Sequence, residues 1–205
     1  MKDPKQIVRE GYDNLTNRYR DHYSFSHHHE YKTWIANFKS SIQAGDPILE
    51  LGCGDGIPVA QLLSVNYDYT GIDISPVQIR NANRQVPDGT FLDADMTEIE
   101  FPAESFSGII ALYSIIHVPV EEQQGLLQKI YTWLRANGIF LCTVGGEEFT
   151  GVEKDWIVPG TTMYWSHMHA DKYSEWFMSI GFTVIKREYI PEQMGGHTLF
   201  WLKKG

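Results

Sequence analysis

The sequence predicts an α/β protein built on a doubly wound, mostly parallel sheet. Strand and helix patterns alternate along residues 47–144. A glycine-rich turn joins the first strand of that run to its first helix. Two further strand patterns follow a helix near the C-terminus. Such alternation implies right-handed crossovers, with helices covering both faces of the sheet.

Ile7, Leu15 and Tyr19 stand at multiples of four, with Tyr12 beside that stripe, so a first helix is expected, interrupted by Gly11. A second helix is expected over about 30–42, with Tyr31, Trp34, Ile35 and Phe38 on one face. Residues 47–51 form a short buried strand, and 57–63 a helix after the glycine turn. A strand at 67–72 precedes a helix at 76–85 that has Pro76 near its start. Strands at 89–92 and 106–113 come next, the latter continuously apolar as a central parallel strand should be. A helix at 119–134 leads to a fifth strand at 138–144. Residues 145–167 have no clear period and hold four glycines and Pro159, so a long loop over a site is expected. Tyr173, Trp176, Phe177 and Ile180 mark a helix, and 182–189 and 198–202 an antiparallel strand pair at one sheet edge.

Bulk properties exclude several partners. The 205 residues suit one domain. Net charge is −9, from 17 basic and 26 acidic residues, which lacks the basic footprint that nucleic acid or an anionic membrane requires. Two cysteines in apolar surroundings, Cys53 and Cys142, read as reduced and cytoplasmic. Residues 1–20 carry no secretory pattern, and the longest apolar stretch, 106–120, is too short and polar to span a membrane.

The chemistry centres on the turn Glu50-Leu51-Gly52-Cys53-Gly54-Asp55-Gly56. A dinucleotide fingerprint needs G-x-G-x-x-G, whereas these glycines are spaced G-x-G-x-G. Glu50 would sit badly beside a pyrophosphate, but it suits a ligand carrying an ammonium and a sulfonium. Asp73, one helix and one strand later, can accept both hydroxyls of a ribose. Its alternative role is to cap the next helix, although Ser75 is itself a good cap. Asp95 can bond an adenine amino group while Met96 packs on the ring. These residues converge only at the carboxyl ends of adjacent parallel strands.

The turn, together with Gly71-Ile72-Asp73-Ile74-Ser75 and Asp93-Ala94-Asp95-Met96, resembles the successive motifs of class I S-adenosylmethionine-dependent methyltransferases. Phe106-Ser107-Gly108-Ile109-Ile110-Ala111 is similar to their fourth strand, and Leu134-Arg135-Ala136-Asn137-Gly138-Ile139-Phe140 to the turn into their fifth. Ser107 stands where the family usually has Asp, and Ala136-Asn137-Gly138 replaces the usual Pro-Gly-Gly. The likeness is closest to the small single-domain enzymes that act on small molecules. It implies a Rossmann-like, seven-stranded, mostly parallel sheet with an antiparallel last strand and an N-terminal helical lid. One domain then divides into a lid (1–45), a donor-binding core (46–144) and a substrate-side loop, helix and strand pair (145–205).

The resemblance implies S-adenosyl-L-methionine as cofactor and S-adenosyl-L-homocysteine as its product. Glu50, Gly52, Cys53 and Gly54 would meet the methionine moiety, Asp73 the ribose, and Ile74, Asp95 and Met96 the adenine. Leu112 and Tyr113 would border the methionyl end. An acceptor pocket is expected beyond Tyr113, from Tyr12, Tyr19, Tyr23, Ser114, His117, Tyr164, Trp165 and His167. His117 is the candidate general base; its alternative is a structural histidine bonded to a backbone group before Pro119. His197 reads as structural or pocket-lining. His27-His28-His29 cannot aim together at one ion on regular structure, so no metal is expected.

The expected function is methyl transfer to O, N or S of a small aromatic or hydrophobic molecule. The expected protein is a cytoplasmic monomer or homodimer with no nucleic-acid or membrane partner. Two readings compete: a non-catalytic protein that binds S-adenosylmethionine or S-adenosylhomocysteine, and a nucleotide-dependent oxidoreductase. The glycine spacing and the absence of a separate substrate domain weigh against the oxidoreductase.

Overall fold

The computed structural model describes residues 2–15, 18, 28–192 and 196–205. Two helices, α1 (Pro4–Leu15) and α2 (His28–Lys39), precede the sheet. The run of alternating elements is β1 (Pro47–Leu51), α3 (Val59–Leu63), β2 (Asp68–Asp73), α4 (Pro76–Gln85), β3 (Thr90–Asp93) and β4 (Phe106–Ala111). A short 3-10 turn (Ile115–His117), α5 (Val120–Trp133) and β5 (Leu134–Gly145) complete it. Then come β6 (Phe149–Lys154), β7 (Thr162–His167), α6 (Ala170–Ile180), β8 (Phe182–Pro191) and β9 (Gly196–Lys204).

Seven strands form one sheet in the order β3-β2-β1-β4-β5-β9-β8. β1 to β5 pair in parallel. β9 runs antiparallel to both β5 and β8, so it alone is reversed. Along the central strands, successive residues enter opposite cores, as the two-residue period of a strand demands. Leu49, Leu51, Ile109 and Phe140 pack against α5 and α6. Ile48, Ile110 and Leu141 pack with Phe38 of α2, Leu63 of α3 and Ile79 of α4. Chain order reverses between β1 and β4, and at such a switch point a crevice opens at the strand carboxyl ends.

Two expectations are corrected. Gly11 does not interrupt the first helix: Val8, Gly11 and Leu15 form its buried stripe. A Cβ at Gly11 would lie 2.7 Å from the Met163 side chain, so the glycine permits close docking on β7. The segment expected as a long loop is a hairpin, with Phe149 paired to His167 and Lys154 to Thr162. β6 is exposed on both faces, so no apolar alternation announces it. Val8, Leu15, Trp156, Met163 and Tyr164 make a small third core that joins α1 to this hairpin. Among the described residues no helix is long and apolar enough to cross a membrane.

Candidate active site

The turn after β1 is held by its backbone. Gly52 and Gly54 have φ of 79° and 53°, a region that glycine enters at no steric cost. A Cβ at Gly52 would stand 2.4 Å from Cβ of Ser114, whereas one at Gly54 meets nothing within 4 Å. Ser114 reaches across from the end of β4 and donates a 2.7 Å hydrogen bond to the Leu51 carbonyl. The ends of β1 and β4 are thereby tied together under the turn.

Asp73 closes β2 and is buried. Its Oδ2 accepts from the Gly54 amide and its Oδ1 from the Ser75 amide, both at 2.9 Å. The helix cap is Ser75, whose hydroxyl accepts from the Gln78 amide at 3.1 Å. Asp73 is therefore free of that duty, and its remaining lone pairs can accept further donors. Burial pushes its carboxyl up to about 6, against those two hydrogen bonds. Glu50 accepts a hydrogen bond from the Tyr69 hydroxyl. Burial pushes Glu50 up to about 8, against that bond, and the charge of Asp73 adds to the rise. Asp95 Oδ1 accepts from the Thr97 amide and hydroxyl, each at 2.8 Å, and Oδ2 lies 3.0 Å from Lys5 Nζ.

These groups open into one cavity of about 290 Å³. Glu50, Gly52, Cys53, Gly54 and Asp73 line it, as do Ile74, Asp95, Met96, Leu112 and Tyr113. Every residue expected at the donor site is thus brought to one wall. Cys53 is buried there, and burial pushes its thiol up, so it stays neutral. Tyr113 has φ of 53°, unusual for a side-chain-bearing residue and a form of strain that clusters at functional sites. It turns the chain away from β4 and sets its ring 5.0 Å from His197.

The opposite wall comes from α1, the 3-10 turn and the hairpin. Of the residues expected at the acceptor pocket, Tyr12, Ser114, His117 and Trp165 line the cavity. Tyr164 and His167 do not. The Tyr164 side chain packs in the third core, and only its carbonyl serves the site. His167 Nδ1 instead donates to the Glu147 carbonyl at 2.6 Å. Tyr19, Tyr23 and His27 lie outside the described residues. His197 lines the cavity, with Nδ1 2.8 Å from Glu192 Oε1.

His117 Nδ1 lies 2.8 Å from the Tyr164 carbonyl, and Nε2 lies 2.9 Å from the Tyr12 hydroxyl. A carbonyl only accepts, so Nδ1 carries the ring proton and Nε2 receives the Tyr12 O–H. Burial pushes His117 down to about 4, against its bond to Tyr164. The histidine is bonded to a backbone group, as its structural alternative supposed, and its neutral, accepting Nε2 is engaged by the Tyr12 hydroxyl at the cavity wall.

Sequence reasoning missed Lys5, Val8, Tyr31, Trp156 and Glu192, all of which line the cavity. Lys5 lies 2.6 Å from Glu122 and 3.0 Å from Asp95. Burial opposes its charge, but those two carboxylates outweigh burial and raise it. Its spacing to Val8, Tyr12 and Leu15 is that of one helical face, a signal present in the sequence.

The donor set decides what can bind. Lys5 is the one Lys or Arg among the described lining residues, and two acids already hold it. Among the described residues, therefore, no unpaired Lys or Arg awaits a pyrophosphate at the turn. Buried carboxylates at Glu50 and Asp73, with apolar Ile74 and Met96 beyond them, instead suit a cationic nucleoside such as S-adenosylmethionine.

Comparisons with known proteins agree. Residues 48–138 match the family model described as a methyltransferase domain. A sterol 24-C-methyltransferase from Yarrowia lipolytica is 29% identical over 116 residues, covering 50% of this chain and 28% of that protein. The eEF1A lysine and N-terminal methyltransferase of Bos taurus is 37% identical over 111 residues, covering 51% of this chain and 16% of the relative. The chain thus spans less than a third of the length of these curated relatives. Magnesium protoporphyrin IX methyltransferase from Synechocystis PCC 6803, solved with bound SAM, superposes with a TM-score of 0.77 at 17% identity. That match covers 100% of this chain and 99% of the other, and it is a likeness of fold. Residues 48–138 thus carry the sequence likeness to a methyltransferase domain, and the fold around them is the one seen in S-adenosylmethionine-dependent methyltransferase structures. S-adenosylmethionine is the donor this family uses.

Proposed function

We propose that this chain transfers the methyl group of S-adenosylmethionine to O, N or S of a small aromatic or hydrophobic molecule. The observation that carries this reading is one continuous cavity with an acidic, glycine-turned wall facing an aromatic one. The near-complete mutual coverage with the porphyrin methyltransferase favours a small-molecule acceptor over a protein one.

When bound, the donor supplies a methyl group already activated on a sulfonium sulfur. The chain's own work is then to bind, align and exclude water. Glu50 and Asp73 would hold the cationic and ribose parts, Ile74, Asp95 and Met96 the adenine, and Gly52, Cys53 and Gly54 the methionine backbone. Leu112 and Tyr113 would border the reacting end. His117 is the candidate base for an acceptor that must lose a proton, which needs Nε2 to exchange its bond to the Tyr12 hydroxyl for one to the acceptor. α1 and the hairpin would cover the reaction, consistent with a lid at 1–45, a donor core at 46–144 and a substrate side at 145–205.

The net charge of −9 speaks against a nucleic-acid or anionic-membrane partner, and the buried free thiols of Cys53 and Cys142 favour a reducing, cytoplasmic setting for a monomer or homodimer. The test is S-adenosylhomocysteine formation across an acceptor panel of phenols, amines and thiols. Turnover with small aromatic members is expected. Donor binding without turnover on any of them, or turnover on protein lysine alone, would overturn the reading.

A further inference from the structure

The two aspartates of the donor wall are held differently. Both oxygens of Asp73 take backbone amides of that wall itself. Asp95 draws one partner from α1. Its Oδ1 accepts from the Thr97 amide and hydroxyl, each at 2.8 Å, and its Oδ2 lies 3.0 Å from Lys5 Nζ. Lys5 also donates to Thr97 Oγ1 at 2.6 Å and lies 2.6 Å from Oε2 of Glu122, in the first turn of α5. Lys5, Asp95 and Thr97 thus close a ring, in which the threonine hydroxyl accepts from the lysine and donates to the aspartate. The Lys5 and Asp95 side chains are 18% and 16% exposed, so water and salt screen the ring less than they screen a surface ion pair.

Counting donors and acceptors shows what the ring leaves for a ligand. An ammonium has three N–H groups, and Asp95, Thr97 and Glu122 accept all three. Lys5 therefore has none to offer a base, although it lines the cavity. A carboxylate has about four lone-pair sites. Thr97 occupies two of those on Asp95 and Lys5 a third, which leaves one, on Oδ2. One acceptor site on a fixed carboxylate matches one N–H of an exocyclic amino group. Without the ammonium, Asp95 and Glu122 would lose the cation between them, and their like charges would turn Oδ2 out of that geometry.

We infer that Lys5 is a positioning residue for donor specificity: acting through Oδ2 of Asp95, it makes the site select a 6-aminopurine. The inference rests on the methyltransferase reading, with adenine beside Asp95. It makes recognition of the donor's base depend on the helix that also walls the acceptor side. Val8 and Leu15 of that helix pack with Met163 and Tyr164 of the hairpin. The group that fixes the adenine-side acid is therefore carried by the opposite wall.

The test titrates the full chain by calorimetry with two probes, S-adenosylhomocysteine and its 6-deamino analogue, which carries hydrogen in place of the adenine amino group. The parent should prefer S-adenosylhomocysteine at least about tenfold, the worth of one hydrogen bond to a charged acceptor. Lys5→Met should reduce that preference to about threefold or less, and Lys5→Arg, which keeps the charge, should retain most of it. Leu15→Ala loosens α1 in the third core without touching the ring, and its preference should stay within about twofold of the parent's. An unchanged preference in Lys5→Met, or loss of both probes by the same factor, would make Lys5 a docking residue and overturn the inference. A preference lowered equally by Leu15→Ala, an arginine variant no better than the methionine one, or a parent without preference would also overturn it. Failure of the parent to bind S-adenosylhomocysteine at all would instead remove the methyltransferase reading beneath it.

Discussion

The two walls of the cavity are made differently. The donor wall is the ends of four adjacent parallel strands, β3, β2, β1 and β4, each contributing its residues at or just beyond its carboxyl end. Its aspartates are held by backbone amides, Gly54 and Ser75 on Asp73 and Thr97 on Asp95, and Glu50 by the Tyr69 hydroxyl from within the sheet. The acceptor wall is a helix and a hairpin joined by a small core of their own. It meets the donor side through side-chain contacts such as Asp13 to Ser75 and Lys5 to Asp95. One wall is therefore preorganised with the domain, while the other can change its side chains without disturbing the sheet. A constant donor and a variable acceptor are what such a division of labour permits.

That comparison can be broken at either wall. Gly52→Ala should have the largest effect, because it adds a Cβ at φ 79° that also lies 2.4 Å from Ser114. Strain and overpacking together predict a loss of about 3–5 kcal/mol, measured by urea unfolding, with S-adenosylhomocysteine binding abolished. Trp156→Ala should cost about 2–4 kcal/mol in the third core, seen as a lower melting temperature. Its S-adenosylhomocysteine affinity should stay within about twofold of the parent; a large loss would show that the walls are not separable.

Glu50→Gln sharpens the contrast through pH. The folded-state value of about 8 lies above the ordinary 4.5. Between those values the folded chain holds a proton that the unfolded chain has released, so stability falls as pH rises through the window. Glu50→Gln should therefore match the parent at pH below 4.5 and be more stable than it above pH 8, by on the order of 2 kcal/mol. The same variant should bind S-adenosylhomocysteine roughly tenfold more weakly at the higher pH. Equal stability of the two proteins above pH 8 would contradict a strained buried carboxyl at the turn.

The donor wall was legible in the sequence because local rules determine it. Glycines at positive φ, Ser75 as a helix cap and acids at strand ends each depend on a few neighbouring residues. The acceptor wall depends on pairings far apart in the chain. β6 pairs with β7 while facing solvent on both sides, so its strand character comes from its partner and leaves no alternation behind. The Pro159-Gly160 turn signal between the two strands was the clue to the hairpin. Tyr164 obeyed the same logic. Its aromatic character suggested a pocket, but the hairpin turns its ring into the third core and leaves the neighbouring Trp165 to face the cavity. Trp156, in the connection, became a lining residue only once the hairpin folded against α1.

The glycine turn and Asp73 are the groups assigned to hold S-adenosylmethionine. That assignment is tested most directly by calorimetric titration of S-adenosylhomocysteine into the parent, Asp73→Ala and Asp73→Asn at neutral pH. The parent should bind one molecule per chain, and both variants should lose at least about tenfold in affinity, since an alanine or an amide nitrogen cannot accept from a ribose hydroxyl. Asp73→Asn keeps one of the two backbone hydrogen bonds, from Gly54 or Ser75, and should lower the melting temperature less than Asp73→Ala does. Undiminished affinity in both variants, or no binding by the parent, would contradict the assignment.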